Sequence, residues 1–174
     1  MYIESGTSNT SDGLTYSERV SMRKMLWIFF PVFVAIECIP LATAAEKDFQ
    51  SFWEQNRWDI SIAAGILLMV SLLLWSIQLK WSINSKEFSF TYFPFVIKKR
   101  VFPISEIQSV EVMKINSLQE FGGWGLRWGK LGKAYTAWGN HILHVEFKDG
   151  KAINVSVLRP AQAREFLQTN FPEN

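Results

Sequence analysis

The sequence predicts a membrane α-helical hairpin of two transmembrane helices, followed by a mainly-β barrel domain with a C-terminal helix. The first observation is that apolar residues concentrate in two runs, Met25–Ala45 and Ile60–Leu79. Each run has about 20 residues, the length that crosses ~30 Å of hydrocarbon as a helix. The second observation is that the chain after residue 83 alternates at the period of β-strands and is rich in glycine. We therefore expect a tail over 1–24, the hairpin over 25–83 and the β domain over 84–174.

The N-terminal tail is expected to be disordered and basic. Residues 1–18 are rich in serine, threonine, asparagine and glycine and show no periodicity. Arg19, Arg23 and Lys24 then precede the first apolar run.

The charges that flank the two runs predict their orientation. The loop 46–59 holds two basic residues and four acidic ones, whereas both outer flanks are basic. Lysine and arginine near a span mark its cytoplasmic side. The sequence therefore predicts a multi-pass protein of the bacterial inner (cytoplasmic) membrane, with both termini cytoplasmic and the loop 46–59 outside. A cleaved signal peptide remains an alternative, because Ala42–Ala44 fits a small-residue cleavage pattern, although the 24 residues before the run make a long n-region.

Glu37 is the candidate polar site inside the membrane. It lies 12 residues beyond Met25, which places it ~18 Å along a helix. An ionised side chain at that depth is costly, so we expect Glu37 to be protonated or paired. Two interpretations stay open: a neutral acid that faces the neighbouring helix, and a residue that holds an assembly together or exchanges protons. Ser61 and Gly65 in the second run are four apart, a spacing that also lets helices approach closely.

The β domain is predicted from alternation and turn signals. Strands are expected over 87–92, 95–101 and 107–115. The clearest hairpin joins 142–147 to 151–157 through Asp149 and Gly150, and only a three-residue loop with Gly150 at positive φ keeps the apolar faces together. A helix is expected to start at Pro160 and to bury Ala163, Phe166 and Leu167.

A glycine- and tryptophan-rich segment separates these strands. Six of the ten glycines lie between residues 122 and 139, interleaved with Trp124, Trp128, Tyr135 and Trp138. Together with the strand order and the C-terminal helix, residues 121–127 (FGGWGLR) resemble a group of bacterial membrane proteins that carry a bacterial pleckstrin-homology-like domain after a short membrane hairpin. The resemblance implies a PH-like barrel plugged by its helix. It implies no catalytic residue, since that group has no settled activity; its relatives suggest oligomeric binding modules or envelope and immunity roles.

Two surfaces are candidate binding sites. Lys98, Lys99 and Arg100 form a basic cluster that could face lipid phosphates, or that could be a solvated strand end with the usual cytoplasmic charge bias. The other is the loop that contains Trp124, Arg127, Trp128 and Lys130, whose glycines and tryptophans could equally serve turns and core packing.

Reactive chemistry is not predicted. The one cysteine, Cys38, excludes an intramolecular disulfide, and His141 and His144 point to opposite faces of a strand, so we expect no metal site and no cofactor. A net charge of +2 gives no reason to expect nucleic acid.

These observations favour a non-enzymatic membrane-anchored binding or scaffold module. Its expected partners are the lipid bilayer and either a second copy or a membrane protein. The alternatives are an envelope stress or toxin-protection factor and, less favoured, an enzyme.

Overall fold

The computed structural model describes residues 6–10, 13–23, 26–27, 30–31, 34–35, 38 and 49–171. The chain divides into two compact units. The β unit comprises Met1–Ser21 together with Ile77–Asn174, and the apolar unit is Met22–Ser76. The β unit is therefore built from segments on both sides of the apolar unit.

Sheet A is an antiparallel meander of five strands. They are β1 Gly6–Thr10, β2 Gly13–Ser21, β3 Gln78–Ile83, β4 Glu87–Phe93 and β5 Val96–Pro103. The strands lie in chain order, so β1 and β5 form the two edges. The apolar unit occupies the connection from β2 to β3, yet these two strands pair directly from Tyr16↔Ile83 to Ser21↔Gln78.

Sheet B is also five-stranded, with the order β6-β9-β10-β8-β7. Its strands are β6 Ile107–Lys114, β7 Gly125–Gly129, β8 Gly132–Thr136, β9 His141–Phe147 and β10 Ala152–Ser156. The pair β8–β10 is parallel, and the other pairs are antiparallel. A 3₁₀ turn at Ile104–Glu106 joins the sheets.

Three α-helices have described bounds, and residues 23, 26–27, 30–31, 34–35 and 38 are also helical. Helix α1, Phe49–Ser76, belongs to the apolar unit. In the β unit, α2 is Ser117–Phe121 and α3 is Pro160–Asn170. Helix α3 contacts the edge of sheet B, where Arg164 donates a hydrogen bond to the carbonyl of Val112.

The core lies between the two sheets and is largely aromatic. Tyr135 of β8 packs against Phe90 and Tyr92 of β4, with ring centroids 4.6 and 5.8 Å apart. The buried hydroxyl of Tyr92 donates to the carbonyl of Thr136 across the same interface at 3.0 Å. Because the polar atom of this ring is satisfied, its burial stabilises the contact between the sheets.

A buried carboxylate joins the first part of the chain to the last helix. Glu18 of β2 is only 2% exposed. It accepts hydrogen bonds from the Tyr16 hydroxyl at 2.6 Å and from the backbone N–H groups of Leu158 and Arg159 at 2.8 and 3.1 Å. Arg159 is the N-cap of α3 and makes no side-chain capping bond of its own. Glu18 thus supplies an acceptor and a negative charge where a helix N-terminus favours both.

Tyr16 supports this carboxylate. Burial raises the pKa of Tyr16 above its ordinary value, and the hydrogen bond and charge of Glu18 raise it further, so the phenol remains a donor. Its ring also contacts Trp81 and Phe166, each with centroids 5.5 Å apart. The same tyrosine therefore connects β2, β3 and α3.

The predicted fold class is wrong. We expected a two-helix membrane hairpin and one PH-like barrel built after residue 83, whereas the described chain forms two five-stranded sheets. Among the described residues, one helical stretch, Arg57–Ser76, is long and apolar enough to cross a membrane, and no two-helix hairpin is evident. The second predicted span also ended too late, because Gln78 and Leu79 belong to β3.

The prediction of a disordered tail is also wrong for the described part of residues 1–24. Gly6–Thr10 and Gly13–Ser21 are strands. The buried side chains of β2 are Tyr16, Glu18 and Val20, so one of its three inward positions is a carboxylate. A pattern search for alternating apolar residues misses such a strand, because its burial depends on a hydrogen-bond partner 140 residues away.

Other local predictions are confirmed. Ile153 pairs with Val145 and Val155 with Leu143, as the three-residue loop requires. Gly150 has a φ of 79° and its N–H bonds to the carbonyl of Phe147. Asp149 accepts bonds from the backbone and side chain of Lys151, which lower its pKa. Helix α3 begins at Pro160 and buries the three predicted residues.

We expect Glu18→Gln to lower the free energy of unfolding by about 2–4 kcal/mol, because an amide replaces an acceptor-only group and turns an N–H toward backbone donors. Chemical unfolding of the full chain in detergent, followed by near-UV circular dichroism, measures this. The control is Glu87→Gln, which removes the exposed ion pair with Lys99 and should cost about 0–1 kcal/mol. Equal losses for both variants would show that the buried carboxylate is not a key contact.

We expect substitutions at Gly150 and Gly132 to separate backbone strain from crowding. Both residues have positive φ, but a Cβ at Gly132 would lie 2.7 Å from the carbonyl oxygen of Ala152, whereas a Cβ at Gly150 meets nothing within 4 Å. Gly150→Asn should therefore cost about 1 kcal/mol or less, Gly150→Val more, and Gly132→Asn the most. The same unfolding measurement ranks the three variants, and a Gly132→Asn variant as stable as Gly150→Asn would contradict the described turn.

Candidate functional site

The basic cluster predicted from the sequence lies on the free edge of sheet A. Strand β5 pairs with β4 alone, and residues 97–101 of it are exposed on both faces. Lys98, Lys99 and Arg100 occupy its centre. Lys99 forms an ion pair with Glu87 at 3.1 Å, and in the described chain Lys98 and Arg100 have no ion pair.

The strand is held to the core at its far end. The ring of Phe102 stacks on Phe88 and Phe90, with centroids 6.4 and 6.2 Å apart, and meets Phe147 of sheet B at 4.9 Å. The basic part of β5 lies between this contact and the β4–β5 turn, where Tyr92 of the core pairs with Val96 and stacks on Phe95 with centroids 5.8 Å apart. The strand is therefore anchored without being covered.

Apolar side chains are exposed at the β4–β5 turn. Phe93 and Phe95 flank Pro94, and both rings are about half exposed. Ile97 follows and is 71% exposed. We call Phe93, Phe95 and Ile97 the apolar tip. The sequence indicated only a turn here, although two aromatic residues beside a turn proline are a signal that could have raised the question of exposure.

Two further cations lie at the same level of sheet A. Arg19 of β2 is in register with Lys80 of β3, and Lys80 is in register with Thr91 of β4. On the other side of β4, Phe90 pairs with Arg100 and Tyr92 pairs with Val96. Thr91 therefore lies beside residues 97–99 of β5. We call this set the basic band: Arg19, Lys80, Lys98, Lys99 and Arg100.

The charge of sheet A is strongly one-sided. Its strands carry these five basic residues and two acidic ones, Glu18 and Glu87. Glu18 is buried against α3, and Glu87 lies at the other end of β4 from the tip. The basic band therefore presents an excess of positive charge. The sequence alone shows Arg19 and Lys80 only as flanks of the apolar runs, because their alignment with β5 depends on the pairing of the strands.

The apolar tip lies at one defined end of sheet A. Ser21 pairs with Gln78, and Gln78 pairs with Phe93. Ser21 and Ile77 are also the residues at which the chain leaves and re-enters the β unit. The tip is thus at the end of the sheet where both connections to the apolar unit begin.

The predicted glycine–tryptophan loop divides into a packed part and an exposed part. Trp124 stacks on Trp138 with centroids 5.5 Å apart and donates its indole N–H to the carbonyl of Gly139 at 3.0 Å. Trp128 is 71% exposed, and the ammonium group of Lys133 lies 4.8 Å from its ring centroid. Arg127 and Lys130 are exposed. The structure therefore assigns Trp124 to packing and leaves Trp128, Arg127 and Lys130 on the surface.

The two histidines occupy separate surroundings on β9. The His144 ring is 2.7 Å from the amide oxygen of Asn154, whose nitrogen donates to the carbonyl of Leu131. Burial lowers the pKa of His141, and Arg164 and Lys114 lower it further. In the described residues, no group of three or more His, Cys, Asp or Glu side chains could hold a metal ion.

Helix α1 has a large apolar surface that stays exposed among the residues that the structure describes. The stretch Arg57–Ser76 has 20 residues and a mean hydropathy of 1.9, and none of its apolar window is buried. At 1.5 Å per residue it is ~30 Å long, the thickness of a bilayer core. Its exposed large side chains share one half of the helix and are Trp58, Ile62, Ile66, Leu68, Met69, Leu72, Leu73 and Trp75. The other half is partly exposed and carries Ile60, Ala63, Leu67, Val70 and Leu74. Glu37, the predicted intramembrane site, lies outside the described residues.

Comparison with known proteins gives no further assignment: no protein-family model matches the chain, and no curated protein matches it either.

We expect the two tryptophans of the glycine-rich segment to respond differently to truncation. Trp124→Ala removes a stacked ring and an indole hydrogen bond, so it should lower the free energy of unfolding by about 2–4 kcal/mol. Trp128→Ala removes an exposed ring and should change it by about 0.5 kcal/mol or less. Denaturant unfolding of both full-length variants provides the measurement. A larger loss at Trp128 would show that this ring is packed in solution.

Proposed function

We propose that this protein is a membrane-anchored, non-catalytic binding module that presents its β unit at the surface of a bilayer. The observation that carries the proposal is the apolar stretch Arg57–Ser76, in which no residue of the apolar window is buried and one whole face of large apolar side chains is exposed. A continuous exposed surface of this size is unfavourable in water, whereas hydrocarbon solvates it. The binding function is supported by the basic band and the apolar tip, which lie at the end of sheet A next to the chain connections with the apolar unit.

We also propose that both termini lie on the same side of the membrane. Strands β2 and β3 flank the apolar unit in sequence and pair along six residues, so the chain enters and leaves the apolar unit on one side. The basic flanks, which include Arg19, Arg23 and Lys80, favour the cytoplasmic side of a bacterial inner membrane.

The bilayer is the partner that this arrangement supports best. A second copy or a membrane protein remains compatible with a binding module, and the experiment in the next subsection separates these partners from lipid.

We expect charges in the middle of α1 to release the protein from membranes. Ile66→Arg/Met69→Arg places two cations near the centre of the 20-residue stretch, where each costs about 2.5–3.5 kcal/mol on insertion. Alkaline extraction of isolated membranes should then find the variant in the soluble or aggregated fraction, with the native chain in the pellet.

The matched control is Trp58→Arg/Ser76→Arg, which adds the same charge near the ends of the stretch, where arginine reaches the headgroup region. This variant should remain in the membrane pellet. Retention of the central variant at the native level would overturn the assignment of α1 as a membrane-spanning helix.

A further inference from the structure

We propose that the apolar tip and the basic band dock the β unit onto the anionic headgroup layer of the bilayer, with Phe93, Phe95 and Ile97 inserted below the phosphates. This inference rests on the proposed function, since it assumes that the chain is anchored in a membrane. It adds a lipid-binding site on sheet A, with negatively charged headgroups as its ligand.

The order of residues along β5 matches the layers of a bilayer surface. Phe95 of the tip lies three positions before Lys98, ~10 Å along an extended strand, and Ile97 lies directly before Lys98, ~3 Å away. Apolar side chains of interfacial segments insert ~5–10 Å below the headgroups. With the tip at that depth, Lys98, Lys99 and Arg100 lie at the level of the phosphates, where lysine and arginine are attracted to anionic lipid.

The rest of sheet A supports the same orientation. Arg19 and Lys80 lie two residues back from Ser21 and Gln78, so the cations form a row across the sheet rather than a single cluster. Gln78 follows Ser76, the last residue of α1, by two positions, which limits the distance between them to ~7 Å. A sheet end tethered this closely to a membrane-spanning helix meets the headgroups at a high effective concentration, so weak individual contacts suffice.

The composition of the surface favours lipid over the other possible occupants. A second copy that paired along the free edge of β5 would place Lys98–Arg100 of both chains opposite one another, and like charges directly opposed in a sheet are destabilising. An acidic peptide would neutralise the basic band but gives no role to Phe93, Phe95 and Ile97, which are exposed beyond it. An anionic bilayer accounts for both parts.

The test uses the full chain in vesicles, with a fluorophore that reports membrane contact. Cys38 is the one cysteine, so Cys38→Ser/Ile97→Cys carries a single nitrobenzoxadiazole label at the tip. In vesicles of equal parts phosphatidylglycerol and phosphatidylcholine, the label should shift its emission to the blue and be quenched by doxyl-labelled lipid. In phosphatidylcholine alone, both effects should be several-fold smaller.

Two controls make the result specific. Cys38→Ser/Trp128→Cys places the same label at an equally exposed position of sheet B and should show no membrane contact in either vesicle.

Lys98→Gln/Lys99→Gln/Arg100→Gln should lower the ratio of docked to undocked protein on the order of 100-fold at low salt. The matched variant Arg127→Gln/Lys130→Gln/Lys148→Gln removes three exposed cations from elsewhere and should leave the ratio unchanged. High salt on the native sequence should act like the first triple variant, without any substitution that could affect folding.

The outcomes separate this inference from the proposed function. Flotation of the same vesicles after alkaline treatment reports anchoring, so a chain that floats while the Ile97 label stays in water refutes docking and leaves anchoring intact. A chain that does not float refutes the proposed function. Equal effects of the two triple variants would overturn the lipid site. Two results in phosphatidylcholine vesicles would also overturn it. A blue shift of the label on addition of polyglutamate would indicate an acidic polypeptide as the ligand. A blue shift that grows with the density of protein in the vesicles would indicate a second copy.

Discussion

The carboxylate of Glu18 is the contact on which the assembly of the β unit depends. It comes from the second strand, is buried, and satisfies two backbone N–H groups at the start of the last helix. A buried carboxylate with no partner would be strongly unfavourable, so β2 can occupy its place in sheet A only when α3 is present. Tyr16 makes the arrangement more specific, because its ring and its hydroxyl contact different partners. Strand β2 and helix α3 therefore stabilise each other.

This closure has a consequence for the apolar segment between the two halves of sheet A. Strands β2 and β3 form six register pairs although 56 residues separate Ser21 from Gln78. Contacts so distant in sequence are slow to form, since the intervening chain must first bring the strands together. In a membrane protein the intervening chain is placed by the bilayer. The pairing of β2 with β3 thus brings Ser21 and Gln78, which flank the apolar unit in sequence, side by side in sheet A.

The free edge of β5 illustrates how one surface can satisfy two constraints. An exposed edge strand invites pairing with another chain, and charged side chains on it oppose such pairing. Lys98, Lys99 and Arg100 are charges of this kind at the centre of β5. The same charges, aligned with Arg19 and Lys80, make the surface complementary to anionic lipid. The aromatic residues beyond them would be a liability in a soluble protein, whereas beside a bilayer they are a means of insertion.

The sequence by itself determined the features that depend on neighbouring residues: the apolar stretch within Ile60–Leu79, the turn at Gly150, the register of β9 with β10, and the start of α3 at Pro160. It also identified Lys98, Lys99 and Arg100 as a basic cluster, because they are consecutive. Only the tertiary structure decided that Gly6–Thr10 and Gly13–Ser21 are strands, that sheet A draws on both sides of the apolar unit, and that Arg19 and Lys80 join the basic cluster in one row. The reason is that these features rest on partners far away in the chain. The burial of Glu18 becomes favourable only when the N-terminus of α3 supplies its donors, and no local pattern of residues carries that information.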